Sequence, residues 1–163
     1  MLKLELEKPE DFSGVEDLYD ICFSPSRKVL SSYRLRENVK PIDKLCYLAK
    51  NETGSILCAV RYWPIKIQRF KFLLLGPLAV HPTIQAEGHG NYIINETLTR
   101  AEKFGWQAVI LIGDLSYYRQ FNFVIAKSIE FPLPTNPKRT LIKSLNGFDI
   151  SLIKGKVERW GAE

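Results

Sequence analysis

Leu73-Leu74-Leu75-Gly76-Pro77-Leu78-Ala79-Val80-His81-Pro82-Thr83-Ile84-Gln85-Ala86-Glu87-Gly88-His89-Gly90-Asn91 is the stretch on which the reading of this chain turns. It opens as an apolar strand ending in Leu78-Ala79-Val80, crosses a proline-containing link and arrives at two glycines. Beyond Gly90, the residues Ile94, Leu98, Ala101 and Phe104 recur at spacings of four, three and three, one apolar face of an amphipathic helix. That helix starts at the glycine loop and turns its positive dipole end towards it. Gly88 and Gly90 carry no Cβ, so backbone N–H groups can close around a bulky anion there. Strand, glycine loop and helix N-terminus make a phosphate site on physical grounds alone. Within the strand, Gly76-Pro77 interrupts a regular ladder, because proline cannot donate and glycine weakens pairing, so a bulge that splays the neighbouring strands is expected.

Working outward, Leu2, Leu4 and Leu6 alternate with charged residues and predict a half-buried first strand stopped by Pro9. Val15, Leu18, Tyr19 and Cys22 have helical spacing, and Pro25 ends that helix. A short helix is expected around Val29 to Asn38. Strands at Leu45 to Lys50 and Ser55 to Ile67 are joined by Asn51-Glu52-Thr53-Gly54, which suits a tight hairpin, and Pro64 must sit at an edge or bulge. After the central helix come a strand from Gln107 to Gly113, a short helix from Ser116 to Phe121 capped by Asp114, and strands at Phe123 to Phe131, Thr140 to Leu145 and Phe148 to Ile153. The end from Lys154 reads as polar and loosely held. One mixed α/β domain over residues 1–163 is the economical organisation.

Composition narrows the class. A chain of 163 residues, 45% hydrophobic and 25% charged, has enough apolar content for a substantial core. The longest apolar run, Phe72 to Val80, is too short to span a bilayer, and the charged first twelve residues are unlike a signal peptide, which implies a cytoplasmic protein with no membrane partner. Cys22, Cys46 and Cys58 are odd in number and lack metal-ligand spacing, so reduced core thiols and no metal are expected. The net charge of +5 is uneven: residues 1–20 hold two lysines against seven carboxylates, and residues 24–44 hold six basic residues against two acidic ones. That basic segment is either a solvated face or a surface that attracts an anionic partner. Without a stacking motif or clustered arginines, nothing beyond net charge points to nucleic acid.

The dinucleotide fingerprint requires three glycines as G-x-G-x-x-G, and this loop has two. Gln85-x-x-Gly88-x-Gly90 after Leu78-Ala79-Val80 instead resembles the coenzyme A loop of the GNAT superfamily of acyl-CoA-dependent N-acyltransferases. A second motif supports it: Tyr118-Arg119-Gln120-Phe121-Asn122-Phe123 is similar to the family's Tyr-x-x-x-Gly-Phe, with Asn122 in place of the glycine. Asn tolerates the left-handed conformation, so the turn at the end of the short helix can survive the change. The resemblance implies a GNAT-like α/β fold, a twisted mixed and mostly antiparallel sheet of about six or seven strands, splayed at the fourth and fifth and flanked by about four helices. It implies acetyl-CoA as co-substrate, held by Leu78, Ala79 and Val80 along the pantetheine arm and by Gln85, Ala86, Glu87, Gly88, His89, Gly90 and Asn91 around the pyrophosphate. An amine-bearing acceptor, small molecule or protein, is the other partner, and a homodimer is left open. Glu87 departs from the family by placing a negative charge near the pyrophosphate, a cost of about 1 kcal/mol or less at an exposed loop.

Transfer from a thioester to an amine requires a neutral amine, a polarised carbonyl and a proton for the departing thiolate. By resemblance Tyr118 is the general acid, since a phenol is protonated at neutral pH. Tyr117, one residue earlier, is expected to point about 100° away. No carboxylate stands on the organising strand where many members carry a Glu, so the base stays open between Asp114, His81 and water. The alternative function is a CoA-binding sensor or interaction domain without turnover.

Overall fold

The spine of the molecule is a long antiparallel hairpin, seen in a computed structural model that describes residues 2–161. Its strands are β3 (Ile56–Ile67) and β4 (Phe70–Val80), preceded by β1 (Glu5–Leu6) and β2 (Tyr47–Lys50). Further along the chain come β5 (Ala108–Ile112), β6 (Val124–Ile125), β7 (Ile129–Glu130), β8 (Thr140–Ser144) and β9 (Gly155–Arg159). The main sheet runs β1-β2-β3-β4-β5-β8-β6, antiparallel throughout except at β4 and β5. The helices are α1 (Phe12–Phe23), α2 (Ser31–Arg34), α3 (His89–Lys103) and α4 (Leu115–Tyr118).

Strand alternation decides which face each helix covers. Tyr47, Val60, Tyr62, Leu73, Leu75, Val109 and Leu111 share one face with Ile93, Ile94, Leu98 and Ala101 of α3. Burying each of Ile93, Ile94 and Leu98 contributes about 1.5–3 kcal/mol. On the other face Leu48, Ala59 and Ala79 pack against Val15, Leu18 and Tyr19 of α1. The expected helical stripe of α3 is thus borne out as far as Ala101. Phe104 falls at the C-cap and is 50% exposed, because the buried face turns through Ile93 and Thr97 instead. Thr97 is accommodated in the core by donating to the Ile93 carbonyl (2.7 Å) and pairing with the Tyr62 hydroxyl (2.7 Å).

The feature that positions the site is the parting of β4 from β5. They pair in parallel only at Leu73 with Val109 and Leu74 with Ile110. Beyond those rungs β4 follows β3 to Val80 while β5 follows β8 to Ile112. The bulge expected at Gly76-Pro77 is present: Val60 faces Leu78 and Tyr62 faces Leu75, so Arg61 alone stands opposite the two inserted residues. Gly76 has φ +125°, a backbone that L residues rarely adopt.

Other expectations are corrected. Leu6 is 44% exposed, and the inward position next to it is taken by Glu7, whose carboxylate binds Arg61. The segment from Val29 to Asn38 yields only the single helical turn of α2, followed by a turn. The strand expected at Phe123 to Phe131 is divided into β6 and β7. No strand forms over Phe148 to Ile153, where residues 150–152 make a 3-10 turn, and the tail expected to be loose forms β9. The reason is an available edge. β2 begins only at Tyr47 opposite Val60, leaving Ile65 to Ile67 unpaired by it, and β9 fills the gap with Val157 buried beneath it. Pro64 lies between the part of β3 paired with β2 and the part paired with β9, a local edge as its missing N–H requires. Residues 162 and 163 of that tail, and residue 1, lie outside the described residues.

Candidate active site

A cleft of about 450 Å³ opens where β4 and β5 part. Leu74, Leu75, Gly76, Pro77 and Leu78 form one wall and Leu111, Ile112 and Gly113 the other. Immediately after β4, the His81 N–H donates to the Leu57 carbonyl across the hairpin (2.7 Å). Backbone groups alternate sides along a strand, so the amides of Leu78 and Val80 point to the opposite edge, the one β5 has left. Three carbonyls of this stretch are occupied by side chains. The Gly76 carbonyl accepts from Trp63 Nε1 (2.8 Å) and from the Arg36 guanidinium (3.0 and 3.3 Å), the Pro77 carbonyl from the Tyr19 hydroxyl (2.9 Å), and the Val80 carbonyl from Gln85 Nε2 (3.0 Å). The bulge is therefore held by groups from α1, from the segment around α2, and from β3.

The glycine loop follows at the end of β4. Gly88, with φ +81°, is the N-cap of α3, and no side chain caps the helix. The first helical bond runs from the Tyr92 N–H to the Gly88 carbonyl (3.1 Å), so the N–H groups of His89, Gly90 and Asn91 precede the ladder. Gly90 is wedged: a Cβ there would meet the Tyr117 hydroxyl at 3.3 Å and Val80 Cγ2 at 3.8 Å. Ala86 also has positive φ, +66°. The exposed Glu87 carboxylate is 3.5 Å from His89 Nε2. Of the residues expected to hold the coenzyme, Leu78 lines the cleft, Ala79, Val80 and Gln85 through Asn91 do not, and Gly90 and Asn91 reach it through Tyr117.

Opposite β4, Tyr118 at the end of α4 lines the cleft and packs against the main core. Burial pushes its phenol up to about 12. Gly113 makes room for the ring: a Cβ there would lie 2.5 Å from Tyr118 Cε2. Asn122 adopts the left-handed conformation, φ +69°, as the turn requires, and the Phe123 N–H returns to the Tyr118 carbonyl (3.4 Å). Tyr117 is a correction. It lines the cleft too, and its hydroxyl donates to Asn91 Oδ1 (2.6 Å) while Asn91 Nδ2 donates to Gln120 Oε1 (3.1 Å). α4 and the first turn of α3 are thereby joined at the rim.

The two base candidates part company. Asp114 lines the cleft, but its carboxylate accepts from Arg139 Nη1 (2.8 Å) and makes no cap bond, although the residue occupies the N-cap position of α4. His81 lies instead in a separate depression beside α1 and pairs with the Thr83 hydroxyl (2.8 Å). The basic segment is not one solvated face. Arg27 is buried against Glu16 and Asp20, and Arg36 turns inward to the bulge, while Lys28 and Arg34 remain exposed. All three cysteines are free, and burial pushes Cys46 up to about 12 and Cys58 up to about 11. Among the described residues no cluster of His, Cys, Asp or Glu suits a metal ion, and no helix is long and apolar enough to cross a membrane.

Arg61 went unnoticed in the sequence. Its guanidinium binds both oxygens of Glu7 (3.0 Å each) and Glu16 Oε2 (2.6 Å), with Phe12 and Tyr19 rings on it. Its only sequence signal was its place on β3 across from Gly76-Pro77.

No protein-family model matches the chain. In sequence it is 26% identical over 125 residues to an uncharacterized N-acetyltransferase, YhbS, of Escherichia coli strain K12, covering 76% of this chain and 74% of that one. In structure it superposes on a crystal structure of the E. coli GNAT family N-acetyltransferase YhbS in complex with CoA, with a TM-score of 0.82, 22% identity, and coverage of 97% of this chain and 89% of the other. A GNAT family acetyltransferase from Brucella melitensis, solved in complex with acetyl-CoA, aligns with a TM-score of 0.72 and 22% identity over 99% and 97% of the two chains. With the bulged fourth strand, the parted fifth and the uncapped α3 already in place, these likenesses show that the chain has the fold of the GNAT acetyltransferases.

Proposed function

We propose that this protein is an acetyl-CoA-dependent N-acetyltransferase, carried by residues 1–163 as one cytoplasmic domain, in which Tyr118 is the general acid. The observation that carries the reading is the Tyr118 phenol at the wall of the parted strands, across from the free edge of β4. The chain's own groups suit each requirement. Amides of Leu78 and Val80 on the open edge match a pantetheine arm laid along β4 in the place of a strand. Uncapped N–H groups of His89, Gly90 and Asn91, with the dipole of a fifteen-residue helix behind them, suit a pyrophosphate. Ala79 lies between those two amides, and Gln85 holds the start of the loop to Val80.

In the reaction the amine nitrogen forms a bond to the thioester carbonyl carbon and the carbon–sulfur bond breaks. Tyr118 gives its proton to the leaving sulfur, and the proton lost by the amine goes to water or to Asp114. A phenol raised to about 12 stays protonated across the physiological range, which suits an acid and not a base. The alternative, a coenzyme-binding domain without turnover, loses support at Asn122, where the departure from the family motif leaves the turn intact.

The test has two arms. Millimolar CoA should raise the melting temperature, since the loop that binds it exists only in the folded protein. With acetyl-CoA and a panel of amines, free thiol should be released faster than in the absence of amine. Thermal stabilisation without amine-dependent thiol would identify the non-catalytic alternative, and no stabilisation would remove both readings.

A further inference from the structure

The cleft is lined by four charged side chains, Arg27, Arg36, Asp114 and Arg139. Three are already balanced: Arg139 pairs with Asp114 at 2.8 Å, and Arg27 with Glu16 at 3.2 Å and with Asp20. Arg36 has no carboxylate within ion-pair distance among the described residues, and the groups that act on its charge are Tyr33 and Tyr19. Its guanidinium lies over the rings of Tyr33 (4.7 Å) and Trp63 (5.8 Å). Nε and Nη2 donate to the Gly76 carbonyl (3.3 and 3.0 Å) and Nη1 to the Ser32 carbonyl (3.0 Å). Those bonds engage three of the five N–H groups of a guanidinium and leave two. Burial lowers its pKa to about 10, which keeps it charged at neutral pH.

We propose that Arg36 is the recognition group for a carboxylate on the acceptor, so that the amine acetylated is one that carries a carboxylate a short chain away from the nitrogen. This rests on the acetyltransferase reading and names its substrate class. Position supports it, because Arg36 is anchored to Gly76, two residues before Leu78. Arg36 and Leu78 line the same cleft, so a carboxylate held on the guanidinium keeps the amine of a short amino acid near the Leu78 amide, whereas a polyamine has no anionic group to offer Arg36. The charge argues for a monoanion. One unbalanced cation beside the apolar walls of Leu74, Leu75 and Leu111 matches one carboxylate, whereas a phosphate dianion would bring a second negative charge into a cleft whose other charges are internally paired.

The experiment uses the full chain with acetyl-CoA and a panel of amino acids, including β-alanine and γ-aminobutyrate, each alongside its methyl ester, with thiol release as the readout. For accepted amines the acid should exceed its ester at least about tenfold in kcat/KM, as loss of a charged hydrogen-bonded partner implies. Esterification also makes the α-amine easier to deprotonate, so intrinsic reactivity runs against this expectation. In Arg36→Gln the ratio of acid to ester should fall close to one while CoA still raises the melting temperature. Arg36→Lys should retain part of the preference. Equal use of acid and ester by the wild type, or a preference that survives in Arg36→Gln, would overturn the proposal and leave the acetyltransferase standing. Transfer only to amines without a carboxylate would do the same. Should Arg36→Gln fail to fold, the wild-type ratio decides alone. A protein that CoA does not stabilise and that releases no thiol with any amine fails at the earlier reading, and the carboxylate site falls with it.

Discussion

Tyr117 and Tyr118 are adjacent, both line the cleft and their rings meet edge to face with centroids 4.9 Å apart, yet they do different work. The Tyr117 hydroxyl is committed to Asn91, at the first turn of α3. Tyr118 has no such partner among the described residues, and its ring is fixed by Phe121, Phe123 and the absent side chain of Gly113. Tyr118→Phe keeps that packing and should lower kcat by roughly a hundredfold or more, with KM for acetyl-CoA nearly unchanged. Tyr117→Phe removes a donor that links α4 to the coenzyme loop, so its effect should appear in the KM for acetyl-CoA and leave kcat within a few fold. Steady-state kinetics with any accepted amine separates them. Equal kcat for the wild type and Tyr118→Phe, with transfer limiting, would make Tyr118 a packing residue.

At the scale of elements, the proposed coenzyme site depends on how one strand hands over to one helix. Gly88 sits at φ +81° with no heavy atom within 4 Å of where a Cβ would be, so a side chain there meets strain and stands in the open mouth of the loop rather than clashing. Gly88→Val should cost about 1–3 kcal/mol of stability from backbone strain and abolish the rise in melting temperature produced by CoA. Gly54 is the matched control. It has φ +88° in the β2–β3 hairpin, also with open space around it, so Gly54→Val should bring a similar intrinsic loss while keeping the CoA response. Retention of the response in Gly88→Val would mean that the anion site lies elsewhere.

For the molecule as a whole, the acidic beginning of the chain and its basic middle are joined through Arg61. Glu7 before α1, Glu16 within α1 and Arg61 on β3 form a part-buried cluster in which side-chain exposures are 12%, 22% and 6%. Arg27 and Lys28 reach the other oxygen of Glu16 at 3.2 and 3.6 Å, so the segment leading to Arg36 is tied to the same carboxylate. Removing Arg61 leaves Glu7 without its two bonds and Glu16 without its shortest one. Arg61→Leu should therefore destabilise the protein by about 3–5 kcal/mol in denaturant unfolding, the cost of an uncompensated buried charge. Because Arg61 stands opposite the bulge, the same change should loosen Gly76-Pro77 and lower transfer to every amine alike. A loss below about 1 kcal/mol would class the cluster with surface ion pairs.

Local chemistry made half of this protein readable without coordinates. The apolar period of α3, the two glycines before it, the proline and glycine inside β4 and the asparagine at the end of the Tyr118 turn each act within a few residues, where φ, hydrogen-bond capacity and helical spacing depend on the residues themselves. From these the sequence by itself determined the strand–loop–helix unit, the bulge and the left-handed turn after Tyr118. What tertiary structure alone decided joins residues that no short-range period connects. Arg61 finds Glu7 across 54 positions, Arg36 finds Gly76 across 40 and Tyr117 finds Asn91 across 26. The polar tail became β9 only because β2 begins only at Tyr47 and leaves an edge of β3 to be paired. In the sequence those arginines are indistinguishable from solvated charges; whether a cation is balanced or left to meet a substrate is set by which carboxylates the fold brings within reach.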